Sequence, residues 1–82
     1  MKQILYFTAT WCGPCKLLKP KIQALQSKLP ITILDVDTNA EACSKYSIRN
    51  VPTIVITQNG HEISRLVGNN ITEQAITESF NQ

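Results

Sequence analysis

Two cysteines three positions apart, Cys12-Gly13-Pro14-Cys15, stand between a short apolar run and an amphipathic stripe. This junction constrains the fold more than any other stretch of the chain. The run Ile4-Leu5-Tyr6-Phe7 does not alternate with polar residues. Residues 2–8 therefore read as a strand buried on both faces, as in the middle of a parallel sheet. After the cysteine pair, Leu18, Ile22, Leu25 and Leu29 recur at i, i+4, i+7 and i+11, on one helical face, with Lys19, Lys21 and Lys28 off it. Pro20 falls inside this helix, where it removes one backbone hydrogen bond and kinks the helix rather than ending it. Pro30 marks the stop.

Residues 31–36 read as a second strand. A helix between two strands makes a βαβ unit, hence parallel neighbours joined by a right-handed crossover. A short, weakly patterned helix is expected from Ala40 to Tyr46, and residues 53–57 form a third strand. Asn59-Gly60 supplies the two positive-φ positions of a type I′ turn into a fourth strand at 61–67. Asn70, with Glu73 three residues on, has the pattern of a helix start, and Ala75, Ile76 and Phe80 would dock that helix on the sheet. The order βαβα then ββα predicts an α/β fold, a four-stranded mixed sheet with helices on both faces, as a single domain over residues 1–82.

Composition narrows the function classes. A chain of 82 residues has material for one core and buries about 63% of its open-chain surface. With 43% apolar and 17% charged residues it is not a disordered tail. No apolar run is long enough to span a bilayer. A net charge of +2 gives no reason to expect nucleic acid or an anionic membrane as partner. The charge is nonetheless unevenly spread: residues 1–34 carry five lysines and no acid, while residues 35–82 carry three bases and six acids. The N-terminus has no secretory pattern, so the cytoplasm is the expected compartment, and a monomer the expected state.

An odd count of three cysteines, two of them only three positions apart, does not suit a stapled secreted scaffold. It reads first as redox chemistry. The alternative from another class is a zinc site of Cys12, Cys15, Cys43 and His61. The 27 residues between Cys15 and Cys43 and the 17 between Cys43 and His61 do not resemble a second knuckle. Cys43 reads as a small buried hydrophobe and His61 as an exposed turn residue. Ile54-Val55-Ile56 is core.

A Cys-x-x-Cys pair at a βα junction has a physical logic. Its first cysteine lies at the helix N-cap, where free N–H groups and the positive dipole end favour a thiolate. A free thiol with a pKa of about 8.5 is only about 3% ionised at pH 7, so any lowering enlarges the reactive fraction, less some loss of intrinsic nucleophilicity. Cys15, one turn inside, can close a small ring with Cys12. On this reading Cys12 attacks and Cys15 resolves.

The hexapeptide Trp11-Cys12-Gly13-Pro14-Cys15-Lys16 resembles the active-site signature of the thioredoxin family, and the likeness extends over nearly the whole chain. Pro20 stands where that family has a kink-forming helix proline. Arg49-Asn50-Val51-Pro52-Thr53 resembles the loop that ends in a cis-proline opposite the cysteines, and Val67-Gly68 resembles the segment beside the substrate groove. The resemblance implies a minimal thioredoxin fold and a general protein-disulfide reductase. Its only redox group is the Cys12–Cys15 pair, with no bound cofactor or metal, and a thioredoxin reductase using NADPH recharges it. Substrates would lie along Trp11, Gly13, Pro14, Val51, Pro52 and Gly68. A cis bond at Pro52 would turn the Val51 backbone toward an extended substrate, to pair with it as an added strand. Ribonucleotide reductase is a family-level substrate to which no residue here points.

The chain departs from the family pattern in three places. It starts at the strand 2–8, without the usual N-terminal strand and helix, and so resembles a short, phage-type or glutaredoxin-sized thioredoxin. The family's buried aspartate is replaced by Tyr6, and its lysine partner by Ile33; losing both together is coherent, because removing one alone would strand a charge. Tyr6, by holding a water, and Asp35, on the same strand face as Ile33, are the expected aids to proton transfer at Cys15. Finally, Thr8-Ala9 replaces a segment where a large aromatic is common, thinning the groove rim. Glutaredoxin-like use of glutathione is suggested by chain length alone and opposed by Trp-Cys-Gly-Pro. A clamp that only holds a partner is opposed by the presence of both cysteines.

Overall fold

Alternate residues of β1 (Lys2–Thr8) point to opposite sides of a sheet and build a core on each. The computed structural model describes residues 1–82, in the order β1, α1 (Gly13–Leu25), β2 (Ile31–Asp35), α2 (Ala40–Lys45), β3 (Thr53–Gln58), β4 (His61–Val67), a single 3₁₀ turn (Gly68–Asn70) and α3 (Glu73–Phe80). The sheet order is β2-β1-β3-β4. β1 pairs with β2 in parallel and with β3 antiparallel, and β3 pairs antiparallel with β4. This is the mixed four-stranded sheet expected.

Ile4 and Tyr6 of β1, with Ile54 and Ile56 opposite them on β3, form the floor of the main core. Leu18, Ile22 and Leu25 of α1 close it, together with Ile71 and Ile76 from the region of α3. Leu5 and Phe7 face the other side, where the Phe7 ring packs against Tyr46 at the end of α2, with centroids 6.3 Å apart. Helices therefore cover both faces. Arg65 of β4 ties α2 down, donating to the Tyr46 carbonyl while paired at 2.7 Å with Glu62.

The helix α1 runs through Pro20, which sits on its exposed face, and ends at Leu25, before Pro30. Leu29 still packs against the core from the following turns. Asn59 (φ 54°) and Gly60 (φ 85°) make the hairpin turn with both φ values positive. A bulge between Ile56 and Thr57 leaves Ile63 on β4 without a partner.

The start of α3 differs from the sequence expectation. The cap is Thr72, whose Oγ accepts from the Ala75 N–H at 3.0 Å, and Asn70 belongs to the 3₁₀ turn. Glu73 is therefore the first helical residue rather than the third. The hydrophobic pair decides the outcome: with Thr72 as cap, Ile71 before it and Ile76 after it fall at the two staple positions, and both are buried in the main core.

Candidate active site

The loop that leaves β1 turns directly into α1, and the geometry of that turn is set by backbone needs. Cys12 is the N-cap, with extended backbone (φ −89°, ψ 113°), and its Sγ accepts from the Cys15 N–H at 3.1 Å. Pro14 sits in the first turn, where a missing N–H costs nothing. No acidic residue occupies that turn, so nothing opposes the positive end of the helix. The two cysteines are joined as a disulfide with Cα atoms 5.3 Å apart, inside the usual range. The atom accepting the Cys15 N–H is thus a disulfide sulfur; on reduction the same N–H would face a thiol or thiolate. Both cysteines are buried, Cys12 to 4% and Cys15 to 2% exposure, so the pair lies at the floor of a depression rather than on a ridge.

Three clefts surround the disulfide. One, of about 280 Å³, is lined by Trp11, Val36, Ile48, Arg49, Asn50 and Val51. A second, of about 210 Å³, is bounded by Pro14, Leu17, Lys21, Pro52 and Gly68, among others. Trp11 and Pro14 lie on either side of Cys12 in the chain, and Val51 and Pro52 are consecutive. The two clefts are therefore walled by the same two loops, 11–14 and 50–52, and together form a groove beside the disulfide. The Val51–Pro52 peptide bond is cis, and neither the N–H nor the C=O of Val51 has a hydrogen-bond partner within the protein. Val51 also packs against the small apolar cluster of Ala9, Cys12 and Cys15. A Cβ built on Gly13 would meet nothing within 4 Å, leaving the approach to Cys12 open.

The third cleft, of about 420 Å³, lies behind Cys15 and is lined by Tyr6, Thr8, Lys16, Lys19, Ile33 and Asp35, with Ala9 and Thr10. Tyr6 and Ile33 are register partners on β1 and β2, and Thr8 pairs with Asp35, so the residues singled out at the family's acid and lysine positions do adjoin. The Tyr6 hydroxyl is 3.5 Å from the Cys15 carbonyl. Burial pushes the Tyr6 phenol above its ordinary pKa, partly offset by the Thr8 hydroxyl beside it.

The structure brings Trp11, Gly13, Pro14, Val51, Pro52 and Gly68 around one disulfide, and Tyr6 and Asp35 behind it. The zinc alternative does not assemble. His61 is beyond the hairpin turn, at the end of the sheet where Lys2 pairs with Gln58, opposite the end that leads into Cys12. Cys43 lies on α2 with its thiol 3.9 Å from the Val36 carbonyl, and no group of three metal-ligating side chains forms. One residue of the site was not anticipated. Asp37 accepts from the Trp11 indole N–H at 3.0 Å, holding a ring that is 67% exposed. Its signal was the acid-rich stretch Asp35-Val36-Asp37 at the end of a strand parallel to the one that leads into Trp11.

A disulfide at a helix N-cap, floored in a groove with unpaired backbone on its far wall, defines a thiol–disulfide exchange protein of the α/β class. Comparisons with known proteins specify it further. The thioredoxin family model matches residues 1–82. The chain is 41% identical to a thioredoxin of Chlamydia trachomatis over 68 residues, covering 79% of this chain and 67% of that one. It is 37% identical to a thioredoxin of Staphylococcus aureus over 70 residues, with 80% and 67% covered. The structure superposes on that of Fasciola hepatica thioredoxin with a TM-score of 0.86 and 35% identity, over 98% of this chain and 78% of that one. The chain belongs to the thioredoxin family. It is a protein-disulfide oxidoreductase that works by dithiol–disulfide exchange. No helix is long and apolar enough to cross a membrane.

Proposed function

We propose that Cys12 is the attacking sulfur and Cys15 the resolving one. The observation that carries this division is the hydrogen bond from the Cys15 N–H to Cys12 Sγ at the helix N-cap, a donor and a dipole end aimed at the sulfur that must bear charge. Cys12 thiolate attacks one sulfur of a substrate disulfide, forming a mixed disulfide and releasing the other as thiolate. Cys15, giving up its proton, then attacks Cys12 Sγ. The Cys12–Cys15 bond forms, the bond to substrate breaks, and two electrons have passed to the substrate. The unpaired N–H and C=O of Val51 beside Pro52 support an extended substrate bound as an added strand, with Trp11, Gly13, Pro14 and Gly68 along its course. Tyr6 and Asp35, in the cleft that reaches Cys15, are proposed to assist loss of its proton.

The chain acts as a monomeric single domain over residues 1–82. A thioredoxin reductase drawing on NADPH recharges it, and the reducing cytoplasm is its place of work. In a turbidity assay of insulin reduction, Cys12→Ser is expected to abolish turnover. Cys15→Ser, mixed with a disulfide substrate, is expected to accumulate a covalent adduct visible by non-reducing electrophoresis and mass spectrometry. Adduct formation by Cys12→Ser instead would reverse the two roles, and no adduct from either would remove the mechanism.

A further inference from the structure

We infer that the groove over Cys12 selects disulfides whose cysteine is flanked on both sides by acidic residues, reading them with Arg49 at one end and Lys21 at the other. The inference rests on the reading above, in which a substrate strand lies along Val51. The two clefts that form the groove each contain one charged residue, Arg49 in the first and Lys21 in the second, and neither is lined by a carboxylate. Both cations are exposed, and neither has a hydrogen-bond or ion-pair partner. The chain's single salt bridge is Arg65 with Glu62, on β4. Asp37, which accepts from the Trp11 indole and keeps its negative charge, lines neither cleft. A strand seated over the disulfide thus passes an apolar middle, made of Trp11, Pro14, Val51 and Pro52, and meets an unpaired positive charge in each direction. Complementary partners are carboxylates on both sides of the substrate cysteine, and a basic flank on either side is disfavoured.

Charge pairs this exposed change affinity by a modest factor, about two- to fivefold each. They are screened at high salt, since the Debye length falls from about 10 Å at 0.1 M to about 3 Å at 1 M. The test uses the reduced full chain and three disulfide-linked peptide dimers, alike except that the residues flanking cysteine are Glu, Gln or Lys. Oxidation of the protein is followed by the fluorescence of Trp11, its single tryptophan, and read as a second-order rate constant. The expected order is Glu, then Gln, then Lys, with the ratio of Glu to Lys collapsing near about 1 M salt. Lys21→Glu and Arg49→Glu are each expected to cut that ratio by about threefold or more. Lys28→Glu makes the same change of net charge at an exposed residue lining none of the clefts and is expected to leave the ratio near the parent value. Each peptide's own reactivity cancels when variants are compared on the same peptides. A ratio of Glu to Lys rates that is the same in the parent, Lys21→Glu and Arg49→Glu overturns the inference, as does an equal effect of Lys28→Glu. An effect at only one of the two cations overturns its two-sided form. Failure of the parent protein to react with any peptide, the Gln one included, sinks instead the redox reading beneath it.

Discussion

Tyr6 is the residue at which this chain differs most in chemistry from the pattern its signature implies. It is 1% exposed, and its hydroxyl lies 3.5 Å from the Cys15 carbonyl. Because burial raises its pKa, the phenol stays neutral throughout the range in which thiols titrate. It can hold a water or the Cys15 backbone, but it is not a base at neutral pH. The sign for stability follows. A folded-state pKa above the unfolded value of 10.0 means the folded state holds the proton more tightly, so this contribution is fully present below pH 10 and is lost as pH rises through the raised folded value. Urea unfolding from pH 9 to 11.5 is expected to show a steeper alkaline decline for the parent than for Tyr6→Phe. Parallel declines would show that burial does not shift this group. Installing Tyr6→Asp alone places an unpaired carboxylate in the core and is expected to cost about 3–5 kcal/mol. Ile33→Lys, at the register partner on the same face, should recover part of that loss in a double-mutant cycle. At this scale the sequence was readable where a residue type has few uses: the cysteine pair, and Pro52 before a buried strand. Asp37 was not, because its role depends on how the loop after β2 brings it to an indole 26 positions earlier in the chain.

Elements were legible where periodicity and turn chemistry agreed, and less so where two capping residues competed. The Asn59-Gly60 hairpin and the α1 stripe needed only local rules. The start of α3 depended on whether Ile71 could reach the core, a tertiary fact that moved the cap from Asn70 to Thr72. Thr72→Ala should therefore cost about 1 kcal/mol, and Asn70→Ala much less. The reverse ranking in thermal denaturation would reinstate the capping pattern read from Asn70 and Glu73. The end of α2 carries a feature no pattern announced. The Ile48 N–H bonds the Cys43 carbonyl at 2.8 Å and the Ser47 N–H bonds the Ser44 carbonyl at 3.2 Å, a Schellman closure. Its left-handed position, φ 52°, is held by Ser47 rather than glycine. An L side chain in that region costs about 1–2 kcal/mol, and glycine's greater freedom in the unfolded chain returns part of it. Ser47→Gly is accordingly expected to stabilise by about 0.5–1 kcal/mol, raising the melting temperature by several degrees in a domain this small. No rise would mean that the Ser47 conformation is relaxed in the unmutated loop.

The molecule as a whole separates its stability from its chemistry. Its main core joins β1, β3, α1 and α3, whereas Cys12 and Cys15 belong to a second small cluster with Ala9, packed by Val36 and Val51. A domain of this size has a total stability of about 4–12 kcal/mol, so one cavity in the main core consumes a large share of it. Ile76 is fully buried and is the one residue within α3 that is. Trimming it to Val should cost about 0.5–1.5 kcal/mol, and trimming it to Ala about 2–5 kcal/mol. The rate of disulfide exchange per folded molecule should meanwhile stay at the parent value for Ile76→Val, since α3 supplies no residue to the groove. Urea titration gives the first quantity, and Trp11 fluorescence during reaction with a disulfide peptide gives the second. A stability loss accompanied by an equal fractional loss of intrinsic rate would mean that the two clusters are mechanically one, and that the disulfide is held in its groove by the packing of the far helix.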